Sequence, residues 1–177
     1  MLVTIWHLEM TDPAQLVAPS RAVAGLDVRE ETPGDPALVR RFYLAVGEAY
    51  RWVDRRAWSL EQWGQWAAAR GITTLVAAVE GSEAGFAVLS EGPDGGVELD
   101  YFGLLGEFIG RGYGSAFLHE TVRRAFARGA RRVFLNTCSL DHPTALKGYQ
   151  KRGFRLYRTV LEDRNEDGTR KTQAEGR

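Results

Sequence analysis

The sequence has 177 residues, 44% hydrophobic and 26% charged, and its 23 basic side chains balance 23 acidic ones. That length fits one domain, and the composition excludes disordered, collagen-like and fibrous classes. No apolar run approaches the roughly 20 residues of a membrane helix, the start lacks a signal pattern, and lone Cys138 cannot form an internal disulfide. The expectation is a cytoplasmic protein without a membrane segment.

In chain order, Leu2–Met10 reads as a strand carrying Val3, Ile5 and Trp6, and Thr11–Ala24 as a connector. Leu26–Glu31 is a short strand. Asp35-Pro36 starts a helix, with Asp35 as N-cap and Leu38, Phe42, Ala45 and Val46 at helical spacing. Ser59-Leu60-Glu61-Gln62 fits a capping box, opening a helix that Arg70-Gly71 closes. Ile72–Glu80, Ala84–Glu91 and Val97–Leu105 are strand-like runs with short turn-rich spacers, which predicts an antiparallel meander. A glycine-rich turn at 110–114 leads into a helix with Leu118, Val122, Ala125 and Phe126 on one face, ending near Gly129. Arg132–Thr137 is a strand, His142–Arg152 a helix and Phe154–Leu161 a last strand; Glu162–Arg177, almost without apolar residues, reads as a frayed tail.

Neutral overall charge argues against a nucleic-acid partner, but the charge is uneven. Residues 1–106 hold 8 basic and 15 acidic side chains, whereas residues 107–158 hold 11 basic and 3 acidic. A basic segment of that kind suits either a phosphorylated ligand or two solvated helix faces.

The turn Ile109-Gly110-Arg111-Gly112-Tyr113-Gly114-Ser115 supplies backbone freedom and, at the following helix start, unpaired N–H groups that attract phosphate. A P-loop would need lysine after the last glycine, and a dinucleotide fingerprint would need glycine at Ser115 or Phe117; neither is present. A meander before the turn also departs from the dinucleotide-binding βαβ unit.

Gly112-Tyr113-Gly114 resembles the glycine core of the acetyl-CoA turn in the GNAT superfamily of N-acetyltransferases, with Ile109 where Gln or Arg is usual. Downstream, His142-Pro143-Thr144-Ala145 to Phe154 resembles the family's Asn-x-x-Ala-x-x-x-Tyr-x-x-x-Gly-Phe block. Ala145, Tyr149, Gly153 and Phe154 are in register, and His142 stands in place of Asn. The resemblance covers residues 26–161, with 1–25 as an added strand and connector and 162–177 as a flexible tail. It implies a mixed α/β acyl-CoA N-acyltransferase fold, a mostly antiparallel sheet flanked by helices. It looks typical of a bacterial subgroup of unknown substrate.

By the same resemblance, the amides of Ile109, Gly110, Arg111, Gly112, Gly114 and Ser115 hold the diphosphate of acetyl-CoA, with Arg111 adding charge. The Phe102 amide faces the acetyl carbonyl and Leu104 pairs with the pantetheine arm, in a strand that splays from its neighbour. His142 falls with the cofactor-binding residues; as a neutral imidazole at a helix start it also reads as a proton relay or a plain cap, with Asp141 as the alternative cap. Tyr149 matches the usual general acid, and is equally a packed aromatic on the helix's inner face. Glu98, in the register of the base in the histone-acetylating members, and Asp100, two apart on one strand, are rival general bases or solubilising carboxylates on a wet sheet face, with a water chain as the third alternative. Cys138 reads as a small buried residue, and no spacing suggests a metal.

For the acceptor, Tyr50, Trp52 and Trp58, interleaved with carboxylates, either hold an amine by cation–π contact or close the core edge. The expected function is acetyl transfer to a primary amine of a small molecule. Its rivals are a non-catalytic acyl-CoA-binding or regulatory module, and a structural member whose aromatic surface makes a homodimer.

Overall fold

The computed structural model describes residues 1–171. Its strands are β1 (Leu2–Met10), β2 (Leu26–Glu31), β3 (Thr73–Val79), β4 (Ser82–Glu91), β5 (Gly96–Leu104), β6 (Arg132–Cys138) and β7 (Arg155–Asp163). Its helices are α1 (Pro36–Gly47), α2 (Leu60–Arg70), α3 (Tyr113–Ala127) and α4 (Ala145–Lys151). None of the described helices is long and apolar enough to cross a membrane.

Local chemistry sets the helix ends. The Asp35 carboxylate accepts from Ala37 N–H ahead of Pro36, and Ser59 and Gln62 form the reciprocal capping box at the start of α2. Gly71, in the left-handed conformation at φ +57°, ends α2.

The sheet runs β2-β3-β4-β5-β6-β1-β7. From β2 to β5 it is the expected antiparallel meander, and α3 then crosses over to bring β6 in parallel to β5. Both faces are covered. α1 and α2 pack Phe42, Val46, Trp63 and Ala67 against Val76, Phe86 and Val88, while α3 packs Phe117, Leu118 and Val122 against Leu75, Ala77 and Ala87 on the other face. Covered faces explain why β3 reads as a continuous apolar run rather than an alternating one.

Three expectations are corrected. β1 does not pack on the domain from outside: it lies inside the sheet, antiparallel to β6 on one side and β7 on the other, with Val3, Leu8 and Met10 fully buried. Alternation specifies a strand but not its partners, which here stand near the far end of the chain. The last helix starts at Ala145 rather than His142, because Ala145 N–H turns back to the His142 carbonyl at 2.8 Å. The tail is ordered further than its composition suggests. Glu162 and Asp163 extend β7, Arg164 bridges to Arg170 across a turn, and Arg164 is buried beside Glu162 at 2.6 Å. Hydrogen bonds and ion pairs, not apolar burial, hold this part. The remainder of the expected tail, 172–177, lies outside the described residues.

Gly153 joins α4 to β7 at φ +104°, and a Cβ there would stand 1.9 Å from the carbonyl oxygen of Gln15 in the connector. Gly153→Ala is therefore expected to destabilise the fold by about 3 kcal/mol or more. In contrast, Gly64→Ala, inside α2 with nothing within 4 Å of the new Cβ, is expected to stabilise it by about 1 kcal/mol. Urea denaturation midpoints of the two variants check both signs.

Candidate active site

β5 pairs with β6 only over Gly96–Glu98, against Arg132–Phe134, and the strands then part. Just beyond that point β5 carries a bulge: Leu99 faces Leu89 and Tyr101 faces Val88, leaving Asp100 as the extra residue. A bulge bends its strand and re-aims the side chains beyond it. Leu99 thus points to the α3 side, and Tyr101 to the α1–α2 side. Further along, Leu105 N–H donates to the Ala84 carbonyl in β4 at 2.8 Å. Alternation along the strand then turns the amides of Phe102 and Leu104 away from β4 and into the gap. The gap opens a cleft of about 970 Å³.

At one end of the cleft stands the glycine turn. Gly110 and Gly112 sit at φ +80° and +90°, the left-handed region that glycine adopts without strain. Gly112 is the N-cap of α3 and no side chain caps this helix, so the amides of its first turn point outward unpaired. Ile109, Gly110, Gly112, Gly114 and Ser115 line the cleft. Arg111 does not; its guanidinium lies 5.4 Å over the Tyr113 ring. A Cβ on Gly112 would meet Val23 at 3.2 Å, so the cradle is walled by the connector. An open turn with free amides and no intruding side chain fits a diphosphate.

The titratable groups lie where the strands diverge. Tyr149 packs edge-on against Phe102 and Phe154 and lines the cleft. Burial, reinforced by the negative charge of Asp141, pushes its phenol above the ordinary range, so it holds its proton at neutral pH. In the same cleft, Glu98 and Asp100 both accept from one nitrogen of Arg70, at 2.6 and 2.9 Å, and the same nitrogen donates to Ser90 at 2.8 Å. Burial pushes the Asp100 carboxyl up to about 6, with a further rise from Glu98, against the Ser90 hydrogen bond and the charges of Arg70 and Arg55. One Asp100 oxygen is buried without a partner.

His142 also lines the cleft, edge-on to Tyr50. Thr144 N–H donates to its Nδ1 at 3.2 Å, so Nδ1 is an acceptor here. Asp141 caps nothing. Its carboxylate accepts from Thr137 Oγ1, Cys138 N–H and Trp52 Nε1, tying the end of β6 to the loop after α1. Cys138 lines the cleft, and burial, followed by Asp141, pushes its thiol up, away from a reactive thiolate.

The acceptor end differs most from expectation. Tyr50 and Trp52 line the cleft, but Trp58 stands behind its wall, edge-on to Trp63. The cation over Trp58 belongs to the chain: the Arg55 guanidinium lies 4.9 Å from it, 5.1 Å from Trp66 and 5.6 Å from Tyr101. Arg55 also donates to the Tyr101 hydroxyl, and its backbone N–H to Tyr43 Oη at 3.1 Å. The turn between Arg164 and Arg170 borders the same end, with Arg170 3.9 Å from Asp54. Arg55, Arg70 and Tyr101 escaped the sequence reading. Arg70 presents itself there as a helix-terminating cation, and nothing in the spacing announces the bulge that swings Tyr101 towards α2. Among the described residues, no group of three or more His, Cys, Asp or Glu stands together to hold a metal.

A sequence model of the acetyltransferase (GNAT) family matches residues 38–154. Comparison with curated proteins gives no significant match. Among solved structures, a GCN5-related N-acetyltransferase from Sphaerobacter thermophilus is 24% identical with a TM-score of 0.67, over 90% of this chain and 50% of that one. One from Kribbella flavida is 18% identical with a TM-score of 0.63, over 89% and 56%. A tandem GNAT protein from the clavulanic acid biosynthesis pathway is 17% identical with a TM-score of 0.64, over 90% and 52%. This chain spans about half the length of these proteins, and at such identities the likeness is one of fold.

Removing the cation that Glu98 and Asp100 share leaves two carboxylates facing each other in a half-dry site. Arg70→Met is therefore expected to push the Asp100 carboxyl above its present value of about 6. Carboxyl-carbon NMR titration of the two proteins reads the direction.

Proposed function

We propose a reaction from one premise: this chain belongs to the GNAT family of acetyltransferases, whose chemistry is acyl transfer from acyl-CoA. Our reading is that the cleft passes an acetyl group from acetyl-CoA directly to the primary amine of a small molecule. The observation that carries it is one continuous cleft lined by the uncapped glycine turn, the Tyr149 ring and the Glu98–Asp100 pair.

When bound, acetyl-CoA supplies the acetyl thioester. The chain's own groups do the rest. Amides from Gly110 to Ser115 receive the diphosphate through hydrogen bonds and the positive end of the α3 dipole. The free edge of β5 receives the pantetheine arm as a neighbouring strand would, with the Leu104 amide pairing to it and the Phe102 amide donating to the thioester oxygen. Both amides point into the gap because of the strand alternation set by the Leu105–Ala84 bond.

Transfer forms a nitrogen–carbon bond and breaks the carbon–sulfur bond. The amine loses a proton and the departing sulfur gains one. Asp100 takes the amine's proton: its carboxyl, at about 6, is ionised at neutral pH yet basic enough to accept. Glu98, on the same guanidinium nitrogen, lies more open to solvent and carries the proton outward. Tyr149 gives its proton to sulfur, and its raised pKa keeps that proton in place until the thiolate forms.

The test is release of free CoA thiol from acetyl-CoA in the presence of pooled amines, with binding but no turnover as the contrary result. For an accepted amine, Tyr149→Phe is expected to lower kcat by roughly 100-fold or more with acetyl-CoA affinity retained. Because the base must be ionised, kcat/KM is expected to rise with pH through about 6 and then level. Asp100→Asn removes that rise and Glu98→Gln keeps it. A limb unchanged in Asp100→Asn assigns the base elsewhere.

A further inference from the structure

The cations at the acceptor end of the cleft are not equivalent. Arg51, Arg55, Arg70, Arg164 and Arg170 line it, alongside Asp54, Glu98, Asp100 and Asp141. Arg70 is held by Glu98 and Asp100, Arg164 by Glu162, and Arg170 by Asp54 and Glu162. Arg51 and Arg55 have no carboxylate within 4.0 Å among the described residues. Arg51 is exposed at the mouth and donates to the Glu166 carbonyl. Arg55 is half-buried, and every group it touches is neutral: the faces of Trp58 and Trp66, and the Tyr101 hydroxyl.

A half-dry guanidinium is costly to keep unless something offsets its charge, and three aromatic rings offset only part of it. The rings do a second thing: they fix the plane of the guanidinium. Its Nη1 is taken by Tyr101 and its Nε is buried without a partner, whereas its Nη2 has no partner in the protein and is not buried. A guanidinium held in a fixed plane on a cleft wall, with Nη2 free and no carboxylate beside it, is suited to receive a carboxylate oxygen. Arg55 and Asp100 line the same cleft, so one substrate can reach both.

Building on the transfer reading above, we infer that the acceptor is an amino acid, its carboxylate bound by Arg55 while its amine meets Asp100. Arg55 is then the residue that separates an amino acid from the same amine without its carboxylate, and from an amine at a peptide's start, where that carboxylate is an amide.

The experiment measures CoA thiol release by the full chain from acetyl-CoA with the standard L-amino acids, and with the amide and the decarboxylated amine of each. The expected result is that kcat/KM for the best amino acid exceeds that of both counterparts by roughly 100-fold or more. In Arg55→Met, that ratio is expected to fall by roughly tenfold or more, through KM rather than kcat. Arg55→Lys, which keeps the charge but loses the guanidinium plane held by the rings, is expected to retain an intermediate ratio. Acetyl-CoA affinity measured alongside confirms that each variant is folded. Amides or decarboxylated amines accepted as well as the amino acids overturn the inference and leave the transferase reading standing. A ratio untouched by Arg55→Met also overturns it, reducing Arg55 to a rivet between Tyr101 and the tryptophans. Transfer to none of the compounds, with acetyl-CoA bound, overturns the transferase reading and this inference together.

Discussion

The parting of β5 from β6 is the constraint on which the molecule's other features turn. Two parallel strands in the middle of a seven-stranded sheet pair over Gly96–Glu98 and no further. Unpaired backbone groups inside a sheet are costly, and a fold keeps them only where something else answers them. On the β6 side, Asp141 answers by accepting from Cys138 N–H. On the β5 side, the amides of Phe102 and Leu104 stay open to the cleft. The sheet holds together across the gap because β6 has a full antiparallel partner in β1, and β1 in turn pairs with β7. An N-terminal strand threaded between β6 and β7 thus carries the half of the sheet that β5 releases.

The bulge at Asp100 connects this constraint to chemistry. By adding one residue it reverses the facing of β5 midway, sending Tyr101 into the aromatic layer of Tyr43, Trp63 and Trp66 while Phe102 and Leu104 stay on the α3 side. It also leaves Asp100 poorly hydrated between a carboxylate neighbour and a guanidinium. The opposing effects explain a carboxyl near 6: burial alone pushes it higher, and Arg70, Ser90 and Arg55 pull it back. Such a site costs stability above its ordinary pKa, since the fold binds the proton more tightly than the open chain does. That cost and the role proposed for Asp100 as base have one physical origin.

Local signals in the sequence carry over well, and non-local ones do not. The Ser59–Gln62 box, the Asp35-Pro36 start and the meander spacers specify their own geometry within a few residues, and each stands as expected. Glycines at 110 and 112 likewise disclose a turn, because glycine adopts positive φ without strain. Partner choice is different. Nothing in Leu2–Met10 says that it pairs with strands from the far end of the chain, and nothing near Asp100 announces the bulge. The aromatic stretch Tyr50–Trp58 is instructive in another way. Its capacity to hold a cation was legible, yet the occupant is Arg55 from the same stretch, a competition that composition cannot reveal. Arg111 illustrates the converse: a cation beside the glycine turn that folds onto Tyr113 instead.

The central claim is that main-chain amides at the start of α3 bind the diphosphate of acetyl-CoA. Calorimetric titration of the protein with acetyl-CoA, beside a Gly112→Asp variant, tests it most directly. The account predicts saturable one-to-one binding by the native chain. It predicts affinity lowered by roughly tenfold or more in the variant, where a side chain and a negative charge enter the cradle at a position of φ +90°. Absence of binding by the native chain, or equal affinity in a variant whose fold is intact, would contradict it.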